Sequence, residues 1–204
     1  MLICANADLL ITYRDVFATF IPELQATFDF AQNNYHHIYD VYAHTVHAVA
    51  NAPSDIHIRL ALMFHDIAKP LVYVEDENCV GHFYGHAEES AKMTIDILKR
   101  MRMDNDTIAI VSQLVDMHDV NVNDSLKFTR RMLSKLGEIQ FHRLVEVSRA
   151  DKLAQSDNCD RNETLRVLDV IKNNIETIKT NNEVFTLKNL AVNGHDLISI
   201  GITD

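Results

Sequence analysis

The run LALMFHDIAKP places His65 beside Asp66 at the end of a strongly apolar stretch, with Lys69 and Pro70 following. Burying an imidazole next to a carboxylate is costly unless the pair is hydrogen-bonded or holds a metal. An apolar helix would fix such a pair rigidly, and its end would let both side chains turn towards one ion. Lys69 near the same end is available to a phosphate as a point charge. A His-Asp dipeptide also arises as a satisfied structural pair, so other donors matter. His44 lies in DVYAHTVHA, where Asp40, His44 and His47 share one helix face. Asp151 lies in VSRADKLAQ among apolar positions, His86 opens a helix after Gly85, and His118 closes another. Neutral imidazoles and carboxylates are the ligand set of Mn, Fe, Co, Ni or Zn. Histidine is also the commonest metal ligand and a near-neutral acid or base.

The elements that must position these groups read as helix after helix. With 5 Gly and 3 Pro in 204 residues, few breakers interrupt the chain. Apolar spacing predicts helices over Arg14 to about Phe28, Ile38–Ala50 and Ile56–Ala68. Pro22 marks a kink or restart in the first, and Pro53-Ser54-Asp55 a break and cap before the third. Leu71–Phe83, with Val72, Tyr73 and Val74 before a polar turn, predicts a short β-hairpin or ordered loop. Helices resume over His86–Met103, Asn105–His118, Leu126–Leu136, Ile139–Ala154 and Thr164–Thr180. Thr186 is a candidate cap, Asn193-Gly194 a turn, and His195–Ile200 a last short helix. The fold class is all-α. No linker rich in Gly, Ser or Pro divides the chain, so 1–204 is expected to form one domain, with a core at about 35–155 and a helical extension over 160–204.

Composition narrows the function classes. Apolar residues make up 47% and charged residues 24%, values of a globular chain with a real core. No stretch is apolar for long enough to span a membrane. MLICANADLLITY lacks the basic start of a signal peptide. Cys4, Cys79 and Cys159 lie far apart, which argues against disulfides and a cysteine-held zinc, and for a reducing cytoplasmic home. Cys79 reads as a small core residue rather than a nucleophile. The net charge of −10 disfavours sequence-independent nucleic-acid binding. His36, His37, His57, His142 and His195 read as structural or solvated. His47 reads as either a partner of a ligand or a core-edge residue, and the role of His82 stays open. Arg100-Met101-Arg102 and Arg130-Arg131 read as solvated helix faces, with contact to a polyanion as the alternative.

Taken in order, His44, then His65-Asp66, then Asp151 resembles the H…HD…D signature of the HD-domain metal-dependent phosphohydrolases. YHHIYDVYAHTVHA, LALMFHDIAKP, HFYGHAEESA and RADKLAQ are similar to the HD domain of bacterial CCA-adding enzymes, tRNA nucleotidyltransferases of the poly(A) polymerase-like type. LKNLAVNGHDLISIGI is similar to that family's segment beyond the HD domain, so the resemblance runs from about Phe17 to Ile202. No Gly-rich strand-turn followed by an aspartate pair is found, and CCA addition is not expected of these residues. Ala68 stands where related sequences often have Gly before the lysine.

The resemblance implies an all-helical HD bundle. It implies His44, His65, Asp66 and Asp151 as ligands of a primary divalent metal (Mn, Fe, Co, Ni, Mg or Zn). His86 and His118 would hold a second ion or contact substrate phosphate. Asp66 and Lys69 are the catalytic candidates, Asp66 towards water and Lys69 towards phosphate. The implied activity is hydrolysis of a phosphomonoester or phosphodiester, on a nucleotide or a 2′,3′-cyclic phosphate. Two alternatives accompany it: a non-catalytic module binding a nucleotide or tRNA, and a partner of a separate nucleotidyltransferase subunit. Asp40 and Asp116 are candidate carboxylates for orienting histidines.

Overall fold

The computed structural model describes residues 7–35, 38–157, 159–181 and 198–199. Among them are ten α-helices and one two-stranded hairpin: α1 (Asp8–Thr12), α2 (Arg14–Phe20), α3 (Val41–Asn51), α4 (Ile56–Phe64), α5 (Lys69–Val72), β1 (Val74–Glu75), β2 (Gly81–His82), α6 (His86–Arg100), α7 (Asn105–Met117), α8 (Leu126–Leu136), α9 (Glu138–Leu153) and α10 (Cys159–Thr180). The all-α class follows from this. The candidate cap at Thr186, the turn at Asn193-Gly194 and the histidines His36, His37 and His195 lie outside the described residues, as does most of His195–Ile200.

The middle of the bundle is α4. Every residue from Ile58 to Phe64 is buried, and the helix packs against α3, α6, α7 and α9. A helix apolar all round can be satisfied only by neighbours on every side. Even Arg59 is buried there, donating to the carbonyls of Pro53 and Ala52 and so closing the end of α3.

Helix starts follow the capping chemistry of the sequence. Asp40 accepts from the amide of Ala43, Asp55 from those of His57 and Ile58, Asp104 from Thr107 and Ser125 from Phe128. Each such cap satisfies an amide that the first turn leaves without a partner, and contributes about 1 kcal/mol. Gly137, at φ 75°, ends α8 and opens α9 in one residue, a conformation in which a Cβ would be strained.

Three expectations are corrected. The helix expected over Arg14–Phe28 is interrupted: α2 stops at Phe20, and a 3-10 turn runs over Pro22–Thr27. Pro22 has no N–H with which to continue the helix. The helix expected to reach Ala68 ends at Phe64, and short turns carry the chain through His65 to Ala68 into α5. Pro70 cannot donate to the Asp66 carbonyl, as residue 70 of a continuous helix would; that oxygen instead accepts from the Lys69 amide at 3.0 Å. Cys79 is exposed rather than in the core, at φ 60° in the hairpin turn.

The hairpin pairs Val74 with His82 and Glu75 with Gly81. It is docked on the loop before α3, where the Gly81 amide donates to Asn33 O at 2.9 Å. A Cβ on Gly81 would sit 2.4 Å from the Gln32 carbonyl and 2.7 Å from the Tyr73 ring, so only glycine allows this approach. The hairpin and the end of α7 thereby become opposite walls of a cavity of about 820 Å³.

Candidate metal centre

Five segments meet at the floor of that cavity. His44 comes from the second turn of α3, and His65 and Asp66 from the turn after α4. His86 is the first residue of α6, His118 follows the last residue of α7, and Asp151 lies near the end of α9. All are buried or nearly so, His44 and His65 completely. The early end of α4 is what frees His65 and Asp66 to face α3, α6 and α7 together.

Asp66 is the hub. Its Oδ2 lies 3.1 Å from His65 Nε2 and 3.6 Å from His44 Nε2. Its Oδ1 lies 3.4 Å from His86 Nε2 and 3.7 Å from His118 Nε2. Two sets of donor atoms, from His44, His65 and Asp66 and from Asp66, His86 and His118, are each mutually close enough to surround one ion. Asp151 Oδ1 borders the first set, 2.9 Å from His44 Nε2 and 3.5 Å from His65 Nε2.

The histidines are oriented by backbone. His65 Nδ1 faces Leu62 O at 2.7 Å, His86 Nδ1 faces Phe83 O at 2.8 Å, and His118 Nδ1 faces Val115 O at 2.7 Å. A carbonyl only accepts, so each Nδ1 carries a proton and each ring turns its Nε2 inward, the atom a metal would take as its ligand. His86 Nε2 and His118 Nε2 then face each other at 3.1 Å, and His65 Nε2 faces His44 Nε2 at 3.3 Å. Paired ring nitrogens turned towards each other beside carboxylates form an arrangement that a cation between them would satisfy. Asp66 Oδ2 is moreover buried without a hydrogen-bond partner of good geometry. The donor set therefore fits a divalent metal of the kind that takes imidazole and carboxylate.

Electrostatics point the same way. Burial opposes charge on His65, but Asp66 and Asp151 outweigh it and push its pKa up to about 10. Burial also opposes ionisation of Asp66 and Asp151. The facing histidines, with Lys69 for Asp66, hold both carboxyls well below the usual range. Burial is the largest influence on His86 and keeps it below its ordinary value, with neighbouring His118 and Lys69 adding to the shift. Two buried carboxylates thus draw positive charge into this floor.

Lys69 is more enclosed than a free phosphate-side cation. It is 5% exposed, its Nζ lies 2.8 Å from Asp66 Oδ2 and 2.7 Å from Gln32 Oε1, and it packs over the Phe83 ring. Gln32 had no sequence signal, because it is 37 residues away and carries no charge. Gln155, whose Nε2 donates to Asp151 Oδ2 at 3.2 Å, had one: it follows Asp151 by four residues. Ser90 was also missed; its Oγ accepts from the Ala68 amide and ties the turn to α6.

The remaining candidates lie elsewhere. Asp40 caps α3, and Asp116 is exposed on the cavity wall; neither hydrogen-bonds a histidine among the described residues. His47 stacks on Tyr39, His57 pairs with Asp55, and His142 with Glu138. His82 stands on the cavity wall, paired with Asp76 at 3.0 Å. Arg100 forms a two-point ion pair with Glu23.

Two curated relatives carry related sequence. An A-adding tRNA nucleotidyltransferase of Deinococcus radiodurans is 27% identical over 125 residues, covering 58% of this chain and 29% of the relative. A CC-adding tRNA nucleotidyltransferase of Thermus thermophilus is 30% identical over 142 residues, covering 66% of this chain and 32% of the relative. The chain thus spans less than a third of the length of either. The match to the HD domain family model runs over residues 34–156, well over half of the chain and the stretch that holds all six clustered side chains and Lys69, and the chain belongs to the HD domain family.

Proposed function

We propose that this protein is a metal-dependent phosphohydrolase acting on phosphomonoesters or phosphodiesters of the nucleotide or 2′,3′-cyclic phosphate class. The observation that carries this reading is Asp66, which turns one oxygen to His44 and His65 and the other to His86 and His118. His44, His65, Asp66 and Asp151 would hold a primary divalent ion, and Asp66, His86 and His118 a second. An ion held there supplies Lewis acidity, which acidifies water and offsets charge on phosphoryl oxygens. Lys69 holds the Asp66 carboxylate as an ion pair and donates one N–H to Gln32, and a remaining N–H would serve a phosphoryl oxygen. The surrounding apolar residues of α4 keep the donor atoms from relaxing apart.

The test is metal-stripped protein reloaded with Mn, Ni, Co or Mg. The substrates are p-nitrophenyl phosphate, bis-p-nitrophenyl phosphate and 2′,3′-cyclic AMP. Turnover is expected to return with metal and to fall at least a hundredfold in Asp66→Ala. Full metal-dependent activity in that variant, or no turnover with any metal in folded protein, overturns the reading.

A second reading rests on the relatives, both enzymes that act on tRNA. In it the chain is a tRNA- or nucleotide-binding module, or works beside a nucleotidyltransferase subunit. The charge of −10 weighs against unaided tRNA binding. Retention on immobilised tRNA at low salt would favour this second reading.

A further inference from the structure

Large aromatic side chains are normally covered, yet Tyr84 is 75% exposed on the wall of the cavity that ends at Asp66, His86 and His118. Its ring is not loose. It lies parallel to the His82 ring, at 4° and 5.4 Å between centroids. His82 is fixed in turn by Asp76, whose Oδ2 lies 3.0 Å from its Nε2. The other oxygen of Asp76 accepts from the amides of Asn78 and Val80, so the hairpin turn anchors the pair. Phe83, between the two rings in sequence, turns the other way and packs on Lys69 Nζ at 5.1 Å. Along His82 to His86 the chain therefore passes from a flat aromatic surface to an ion-pair wall and then to a metal donor.

We infer that Tyr84, braced parallel to His82, is a stacking platform for the base of a nucleoside phosphate whose phosphate reaches the centre at Asp66, His86 and His118. The inference rests on the phosphohydrolase reading and assigns the side chain that would take the base of its substrate. Tyr84 stands two positions before His86, a Cα span of at most about 7 Å. Both residues line the same cavity, so one ligand can meet the Tyr84 ring and the donor atoms together. A cavity of about 820 Å³ has room for a mononucleotide. Every base presents a flat π-face to such a ring, so the platform favours nucleotides over sugar phosphates without choosing strongly among bases.

The experiment measures binding by calorimetry to the full-length, metal-loaded protein. The probes are phosphonate analogues of AMP and of ribose 5-phosphate, in which a methylene replaces the ester oxygen and blocks hydrolysis. The AMP analogue is expected to bind about tenfold more tightly than the sugar analogue. Tyr84→Ala should remove that difference and leave the sugar analogue unchanged, while Tyr84→Phe retains it. Equal affinities in the unaltered protein, a preference that survives Tyr84→Ala, or no binding of either analogue overturns the inference. The two readings fail separately. Hydrolysis without base preference removes the platform alone, whereas base preference lost in Tyr84→Ala without hydrolysis removes the hydrolase alone.

Discussion

Gln32 shows how a neutral side chain takes part in an ionic floor. Its amide is buried, with Nε2 donating to Tyr39 O at 3.2 Å and Oε1 accepting from Lys69 Nζ at 2.7 Å. Gln32→Leu keeps the volume but leaves a buried ammonium short of an acceptor, which costs about 1–3 kcal/mol. Urea unfolding should show that loss. A lower midpoint with unchanged slope would place it in the folded state. At this scale the sequence was legible where chemistry is written in residue type. His44, His65, Asp66, His86, His118 and Asp151 all meet at one floor, as their types and helical settings suggested. Gln32, Ser90 and the Tyr84–His82 pair were not legible. A glutamine or an exposed tyrosine carries no signal until its neighbours in space are known. Lys69 was legible as a cation near the site, but its burial against Gln32 and Phe83 was not.

The elements were read from apolar period and caps, and α3, α4, α6, α7, α8, α9 and the hairpin sit close to where the pattern put them. Their ends were harder. Pro22 stops α2 through a hydrogen bond it cannot donate, whereas α4 ends where the Ala68 amide turns to Ser90 Oγ, ahead of Pro70. Asp55 offers a test of an end that was legible. Burial opposes its ionisation, but the amides of Ile58 and His57 and the Arg143 guanidinium outweigh it and hold its carboxyl below the ordinary value. The folded pKa is thus below the unfolded one. The resulting stabilisation is complete above the unfolded value of about 3.9 and is lost as pH falls through the folded value. Asp55→Ala should cost about 1 kcal/mol at pH 7. Asp55→Asn should keep most of the cap and flatten this part of the acid limb, read from urea midpoints between pH 7 and pH 3.

Across the whole molecule, the candidate donors are drawn from five separate segments, and no helix among the described residues is long and apolar enough to cross a membrane. His44 and Asp151, 107 residues apart, are within hydrogen-bonding distance only when α3 and α9 are packed. In an unfolded chain, only His65 and Asp66 remain adjacent. An ion would then find a dipeptide rather than a cage, and would bind the native state almost exclusively. Loading to a hundred times the dissociation constant should add about 2.7 kcal/mol to stability, seen as a melting temperature that climbs with metal concentration. The timing of assembly follows from the same separation. A growing chain cannot complete the centre until the α9 segment is made, long after α3 and α4 have emerged. A metal held by the full set, Asp151 included, would therefore latch a bundle already packed through α9. In stopped-flow experiments it should slow unfolding and leave the refolding rate nearly unchanged.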